Sequence, residues 1–332
     1  MLTNDTIRVR ARGRSLAALV AAFLLATGAA PVAKKHFASS EEALDALVAA
    51  ARSGDQNALL GILGAEAKPL LQSGDPVADR EALERFVHAY DEAHAIGKKD
   101  DQTAVAKLGK DEWEMPIPIV KDDAGWSFDT AAGKEEVLAR RIGRNERSTI
   151  QACLAYVDAQ REYYTRNPDG RAPLHYAQHI LSTAGKRDGL YWPEKEGEDP
   201  SPLGDGFARA KAEGYKQAAK GQPTPFHGYY YRILTGQGPH AQGGAYDYLA
   251  KGLMIGGFAL VAFPAVYGTS GVTTFLVNHD GVVYEKDLGP KTKELAQAMK
   301  AFDPGDGWKA VPDEEENDVP VEAPQAKAES SP

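Results

Sequence analysis

The chain has 332 residues, a formal net charge of −9 and a single cysteine, Cys153. One thiol excludes an intramolecular disulfide framework, and a modestly acidic balance argues against nucleic acid or an anionic membrane surface as partner. After removal of a leader, about 300 residues remain, enough for two hydrophobic cores.

Residues 1–30 have the pattern of an export signal. Arg8, Arg10, Arg12 and Arg14 precede a small and apolar run from Ser15 to Ala30, which ends on Thr27-Gly28-Ala29-Ala30. That run is shorter than the roughly 20 residues needed to span a bilayer, so cleavage is expected between Ala29 and Ala33. The expected location is periplasmic or extracellular, in a Gram-negative type of envelope. Phe258 to Tyr267 is apolar but short and interrupted by Pro264, so no transmembrane segment is expected in the mature chain.

Residues 37–143 are expected to form an N-terminal α+β domain. Ser39 and Glu42 form a capping box, with Phe37 placed for a staple contact. Leu44, Leu47, Val48 and Ala51 then recur at helical spacing until Gly54. A short helix over Ala58 to Leu63 and a longer one from Asp79 to His94 follow. The period then changes to that of strands over Thr103 to Leu108, Trp113 to Val120 and Trp126 to Asp129, the last two joined by a turn at Asp122 to Gly125. Pro116 and Pro118 confine the middle strand to an edge or a bulge. Helices followed by an antiparallel sheet suggest a small cone of the NTF2-like or cystatin-like kind.

A long helix is expected from Gly133 to Tyr164, with Ile150, Leu154, Val157, Arg161 and Tyr164 on one stripe. Gly143 costs about 1 kcal/mol inside a helix and is read as a break, hinge and domain boundary. Asn167-Pro168-Asp169-Gly170 ends the helix. Residues 144–311 are then expected to form a second α+β domain, the long helix packed on an antiparallel sheet. Its strands are His227 to Tyr231, Phe258 to Phe263 and Thr273 to Val277, the last closed by a turn at Asn278 to Gly281. Residues from Glu196 to Pro225 form a polar excursion with one helix at Phe207 to Lys216. Residues 312–332 are expected to be a disordered acidic tail, because they hold too few apolar residues to fold.

Few residues suggest chemistry. His175 and His179 would share one face of a helix at metal-ligand spacing. They lack the glutamate of a His-Glu-x-x-His motif, and a third ligand would have to come from Asp188 or His227. Asp169-Gly170 lacks the alternating acids of a calcium loop. Asp280-Gly281 is turn chemistry, with His279 expected to be exposed at the tip. Cys153 lies beside the apolar stripe, where a buried inert thiol is the default. Gly236-Gln237-Gly238 and Gly243-Gly244 lack the context of a phosphate loop and read as a long loop between strands. No metal site, cofactor or catalytic residue is therefore expected.

The tyrosines are dense in the second half. Tyr229, Tyr231, Tyr246, Tyr248 and Tyr267 are candidates for a recognition surface for peptide, glycan or a partner protein. A tyrosine-rich sheet filling a small core would account for the same pattern.

Several runs carry a family resemblance. Pro116 to Lys121, Gly125 to Gly133, Arg140 to Glu146, Gly189 to Pro193, Tyr229 to Thr235 and Gly256 to Ala262 resemble the bacterial exported family catalogued as domain of unknown function 2950, over roughly Phe37 to Trp308. That resemblance implies no activity and no catalytic residues. Asn145 to Leu288 is similar, more weakly, to type IV pilin-like globular domains. Here it departs from their pattern: an ordinary export signal and a whole domain precede the helix.

The expected function is a non-catalytic cell-envelope protein that binds an envelope protein or glycan through its C-terminal sheet and aromatic loops, with two filled interiors. The rival reading is a small-molecule-binding or hydrolytic enzyme with His88, Asp91, Trp113 and Asp129 converging on a pocket in the N-terminal cone.

Overall fold

The first element starts where the capping pattern puts it. In the computed structural model, which describes residues 34–193, 197–215 and 224–312, helix Ser40–Ser53 is capped by Ser39, whose Oγ accepts from Glu42 N. Glu42 reaches back one residue further than the usual box, to the N–H of Ala38. The expected signal at 1–30 and nearly all of the expected tail, from residue 313, lie outside the described residues.

Helices Gln56–Leu63 and Pro76–Glu92 follow, each opened by an aspartate, Asp55 and Asp75, that accepts from two backbone N–H groups of its first turn. Against them lies an antiparallel sheet in the spatial order His94–Lys98, Thr103–Leu108, Ile119–Asp122, Gly125–Phe128, with Trp113–Glu114 pairing Thr103–Leu108 as well. The expected strand from Trp113 to Val120 is therefore two short pieces. Pro116 and Pro118 cannot donate to a ladder, and the chain leaves the sheet between them. His94, expected to end a helix, instead begins a strand that alternation had not marked. Leu44, Leu47, Leu59, Ile62, Ile119 and Phe128 fill the space between helices and sheet.

The long helix, Thr130–Arg166, runs through Gly143 without interruption, contrary to the expected break. The reason lies in bonds to distant segments. Arg141 beside Gly143 donates to the carbonyls of Pro69 and Leu70, Asn145 donates to the Ser270 carbonyl, and the Thr149 hydroxyl turns back to the Asn145 carbonyl. Tertiary bonds on both sides of the glycine outweigh its weak propensity. Gly133, at the start, has the opposite status: an added Cβ would collide with the Pro116 carbonyl oxygen and the Ile117 nitrogen. Asn167, in the left-handed conformation, ends the helix as the sequence suggested.

The C-terminal half of this helix lies on a five-stranded antiparallel sheet of Tyr229–Leu234, Ala259–Pro264, Thr273–Asn278, Val283–Asp287 and Lys309–Ala310, adjacent in chain order. The last two strands and a short helix, Thr292–Ala298, were not marked in the sequence. Strand Ala259–Pro264 is buried along its whole length, which explains why it reads as a continuous apolar run rather than an alternating one. Cys153, Tyr156, Val157 and Tyr163 of the helix pack with Phe258, Leu260, Phe275 and Leu276 in this second core. The polar excursion carries helix Gly204–Ala212. Gly236–Gln237, expected in a loop, pairs Tyr246–Asp247. No described helix is long and apolar enough to cross a membrane.

Two glycines give a test of the continuous helix. Nothing lies within 4 Å of a Cβ added at Gly143, so Gly143→Ala is expected to stabilise the protein by about 1 kcal/mol in urea unfolding. Gly133→Ala is expected to destabilise it by about 2 kcal/mol. A Gly143→Ala protein less stable than its parent would contradict an unbroken helix.

Candidate functional site

One face of the long helix is left uncovered by both cores. Arg144, Arg147, Ser148, Gln151, Ala152 and Ala155 recur at spacings of three and four, so they form a stripe, and they make one wall of a cleft of about 1290 Å³. The opposite wall is the excursion, through Leu203, Phe207, Arg209, Lys211 and Glu213, and the floor includes Tyr230, Tyr231 and Leu260 of the sheet. This volume exceeds the roughly 300–1,000 Å³ of ordinary small-molecule pockets.

The cleft is polar at one end and apolar at the other. Where the helix presents Arg144 and Arg147, the opposite side brings Lys211, Glu213, Tyr215 and His227. This end is held by Asp75, a fully buried carboxylate from the N-terminal helices. Its Oδ2 accepts from the Tyr215 hydroxyl at 2.8 Å and from Gly228 N at 2.9 Å, while Oδ1 accepts from Val77 and Ala78. Burial, then the Asp75 charge, push the Tyr215 phenol well above its ordinary pKa, so it stays a donor to that carboxylate. Asn145 sits against Gly228 from the helix side.

Eight to twelve residues on from Arg144, the helix offers only Ala152, Ala155 and Tyr156 to the cleft. Here Gln160 donates to the Ala177 carbonyl and Tyr163 to the Arg187 carbonyl, which places the parallel pair His179–Leu181 and Gly189–Tyr191 alongside. Ile180, Leu181 and Tyr191 line this end, and Tyr191 stacks on Phe207 with ring centroids 4.1 Å apart.

Charge in the cleft is unbalanced. Arg144, Arg147, Arg209 and Lys211 make no ion pair among the described residues, while the lining contains one carboxylate, Glu213. Glu213 lies 3.6 Å from His227. Desolvation, followed by the like charges of Arg85 and Arg140, lowers the pKa of Arg144. An anion placed there would relieve that repulsion.

The five candidate tyrosines separate. Tyr229 and Tyr248 are fully buried, their hydroxyls bound to the Thr273 carbonyl and to Gln237; they belong to the core and are unavailable as a surface. Tyr246 is exposed and packs edge-on against Tyr248, and Tyr267 is half-buried with its hydroxyl on Asp287. Tyr231 alone lines the cleft, its hydroxyl 3.4 Å from Thr149.

His175 and His179 are not on a helix. His175 is buried in the loop after Asn167, with its ring nitrogens on Asp169 and the Pro173 carbonyl, and His179 begins a strand. The intervening chain is held extended instead, by a bridge from Tyr176 to Met254 and by the Gln160 side chain, which binds both the N–H and the carbonyl of Ala177. Among the described residues no group of three or more His, Cys, Asp or Glu is placed to hold a metal ion. His279 is partly covered rather than free at a tip, packed near Tyr248 and Phe258.

The residues proposed for an N-terminal pocket do not converge. Asp91 pairs with Arg52, Asp129 caps the long helix, Trp113 lies under Arg140, and His88 is exposed. None of the four lines either the large cleft or a smaller one of about 380 Å³ beside Met115 and Arg140.

Sequence reasoning missed Arg144, Arg147, Arg209 and Lys211 as a set. The i,i+3 pair of arginines at the border of the apolar stripe has the same signature as a solvated helix face. The cleft also corrects the expectation that two filled interiors consume the distinctive side chains.

A protein-family model described as Protein of unknown function (DUF2950) matches residues 34–311. No curated protein and no solved structure matches the chain.

Two measurements test the local physics. Asp75→Ala would leave the Gly228 N–H and the Tyr215 hydroxyl unpaired, so a loss of about 3 kcal/mol is expected in urea unfolding; a loss below the error of the method would contradict the clamp. Burial alone pushes the Cys153 thiol up to about 12. A thiol reagent at pH 8 is therefore expected to label it only after unfolding, and rapid labelling of native protein would show the core is open.

Proposed function

This chain belongs to the DUF2950 family, whose model covers residues 34–311, and we propose that it is an exported cell-envelope protein that binds rather than transforms its ligand. The binding site in this reading is the cleft between the long helix and the excursion. One observation carries it: a large cleft with aromatic and aliphatic lining presents, among the described residues, four cations against one carboxylate. Binding requires only such complementarity, whereas catalysis requires a nucleophile or acid–base pair poised at a reacting atom. Among the described residues the lining includes one close acid–base pair, His227 and Glu213, with no third side chain bonded to the side chain of either.

Export is supported by the arginines and apolar run of residues 1–30. The order of elements in residues 144–311, a long helix followed by a meander, supports a pilin-like scaffold, and the helices on an antiparallel sheet in residues 37–143 support an NTF2-like or cystatin-like one. In the pilin-like reading the sheet is a rigid support for a display surface. The enzyme reading of the N-terminal half has less behind it, since Asp129 serves a cap, Asp91 an ion pair, and Trp113 and His88 are exposed.

Protein recovered from the envelope of its own cells is expected to begin near residue 30 and, by native mass spectrometry, to carry a non-covalent adduct. The same preparation of Arg144→Gln/Arg147→Gln is expected to lack it. A parent protein that retains residues 1–30 would contradict cleavage, and one that carries no adduct would contradict the binding reading.

A further inference from the structure

The polarity of the cleft along its length says more than its size. We infer that the ligand is an anionic amphiphile, which lies along the long helix with its charged head at Arg144 and Arg147 and its apolar body towards Ile180 and Tyr191. This rests on the proposal that the cleft is a binding site, and adds the chemical class and direction of the ligand.

Three observations support the direction. On the helix wall, charge stops at Arg147 and polarity at Gln151, after which only Ala152, Ala155 and Tyr156 remain. The rise from Arg144 to Ala155 is about 16 Å, so the two ends are well apart and a compact anion cannot occupy both. On the opposite wall Leu203 and Phe207 stand by Tyr191, Arg209 follows, and Lys211 and Glu213 lead towards Tyr215 and His227, between which Phe226 packs. The walls are held in this pairing independently, by Asp75 at the polar end and by the bonds of Gln160 and Tyr163 at the apolar end.

The chemistry then selects the ligand. A purely apolar molecule would leave Arg144 and Arg147 with no anionic partner among the described residues, Arg144 under the like charges of Arg85 and Arg140 as well. A small hydrophilic anion would leave the aliphatic and stacked aromatic end in contact with water, which is unfavourable in proportion to its area. A cationic amphiphile meets repulsion at the head. An anionic head on an apolar body satisfies both ends at once, and guanidinium groups suit either a carboxylate or a phosphate head.

The test uses the mature protein, stripped of adducts, and isothermal titration with defined probes. Myristate and lysophosphatidylglycerol are the supporting arms: binding of either sustains the inference, and which one binds more tightly identifies the head as carboxylate or phosphodiester. Tetradecanol, tetradecyltrimethylammonium and inorganic phosphate are expected to bind at least about tenfold more weakly. Arg144→Gln/Arg147→Gln is expected to weaken myristate at least about tenfold, and Ala155→Trp to weaken it by steric filling of the apolar end. Both alter exposed positions, and circular dichroism checks that they fold. Parent binding is expected to weaken as salt rises.

Tetradecanol bound as tightly as myristate would overturn the head assignment. Phosphate bound as tightly as myristate would overturn the apolar body. An Ala155→Trp protein with unchanged affinity would overturn the direction. No binding of either amphiphile by the stripped protein, when the same protein carries an adduct as recovered from the envelope, would overturn this inference while leaving the binding site in place. Absence of both adduct and probe binding would remove the site itself.

Discussion

A single stiff helix ties the two hydrophobic cores together. Thr130–Arg166 contributes Leu138 to the first core and Cys153, Tyr156, Val157 and Tyr163 to the second. Because each turn is bonded to the next, displacement of one end is transmitted along its axis rather than absorbed. Everything that borders the cleft is therefore placed relative to one rod. A break at Gly143 would uncouple the arginines at 144 and 147 from the alanines at 152 and 155, and with them the two ends of the site.

Carboxylates, one buried and one half-buried, hold the parts that the rod alone cannot. Asp75 caps its own helix with one oxygen and accepts from Tyr215 and Gly228 with the other. Glu146 projects from the long helix and accepts from Val272 and Thr273, so it holds the chain just before a central strand. A carboxylate accepts several hydrogen bonds from backbone N–H groups, which makes it an efficient clamp between segments remote in sequence. Arg232 is the cationic counterpart: it donates to the carbonyls of Ala296 and Met299 and holds the last turn of helix Thr292–Ala298 against the sheet. Glu146 and Arg232 both fall in runs that carry the family resemblance, so those runs serve the architecture at least at these positions.

Placement of the cleft follows from what these clamps leave open. Two faces of the long helix are taken by packing, and the excursion approaches a third without closing on it. Its cations have no carboxylate partners among the described residues, while elsewhere on the surface Arg52, Arg80, Arg85, Arg140, Arg166 and Arg187 all do. Charge left uncompensated in one partly enclosed place, on a chain whose net charge is negative, is the feature of this molecule that packing does not explain.

Periodicity by itself determined most of the elements: the capped helix after Ser39, the strand Thr103–Leu108, the long helix and its stop at Asn167, and three of the five strands of the second sheet. These are local matters, decided by side-chain spacing, capping and turn residues within a few positions. The same locality explains the misses. Gly143 looks like a break because its stabilising bonds come from residues 69, 70 and 270, and His175 and His179 look like a pair only if the intervening chain is helical. Tyr229 and Tyr248 could not be told from surface tyrosines, because alternation does not say which face of a strand is covered. Only the tertiary structure decided the cleft, since its walls are assembled from residues 144–156, 180–193, 203–215 and 224–231, and no local pattern encodes a concavity shared by segments that far apart.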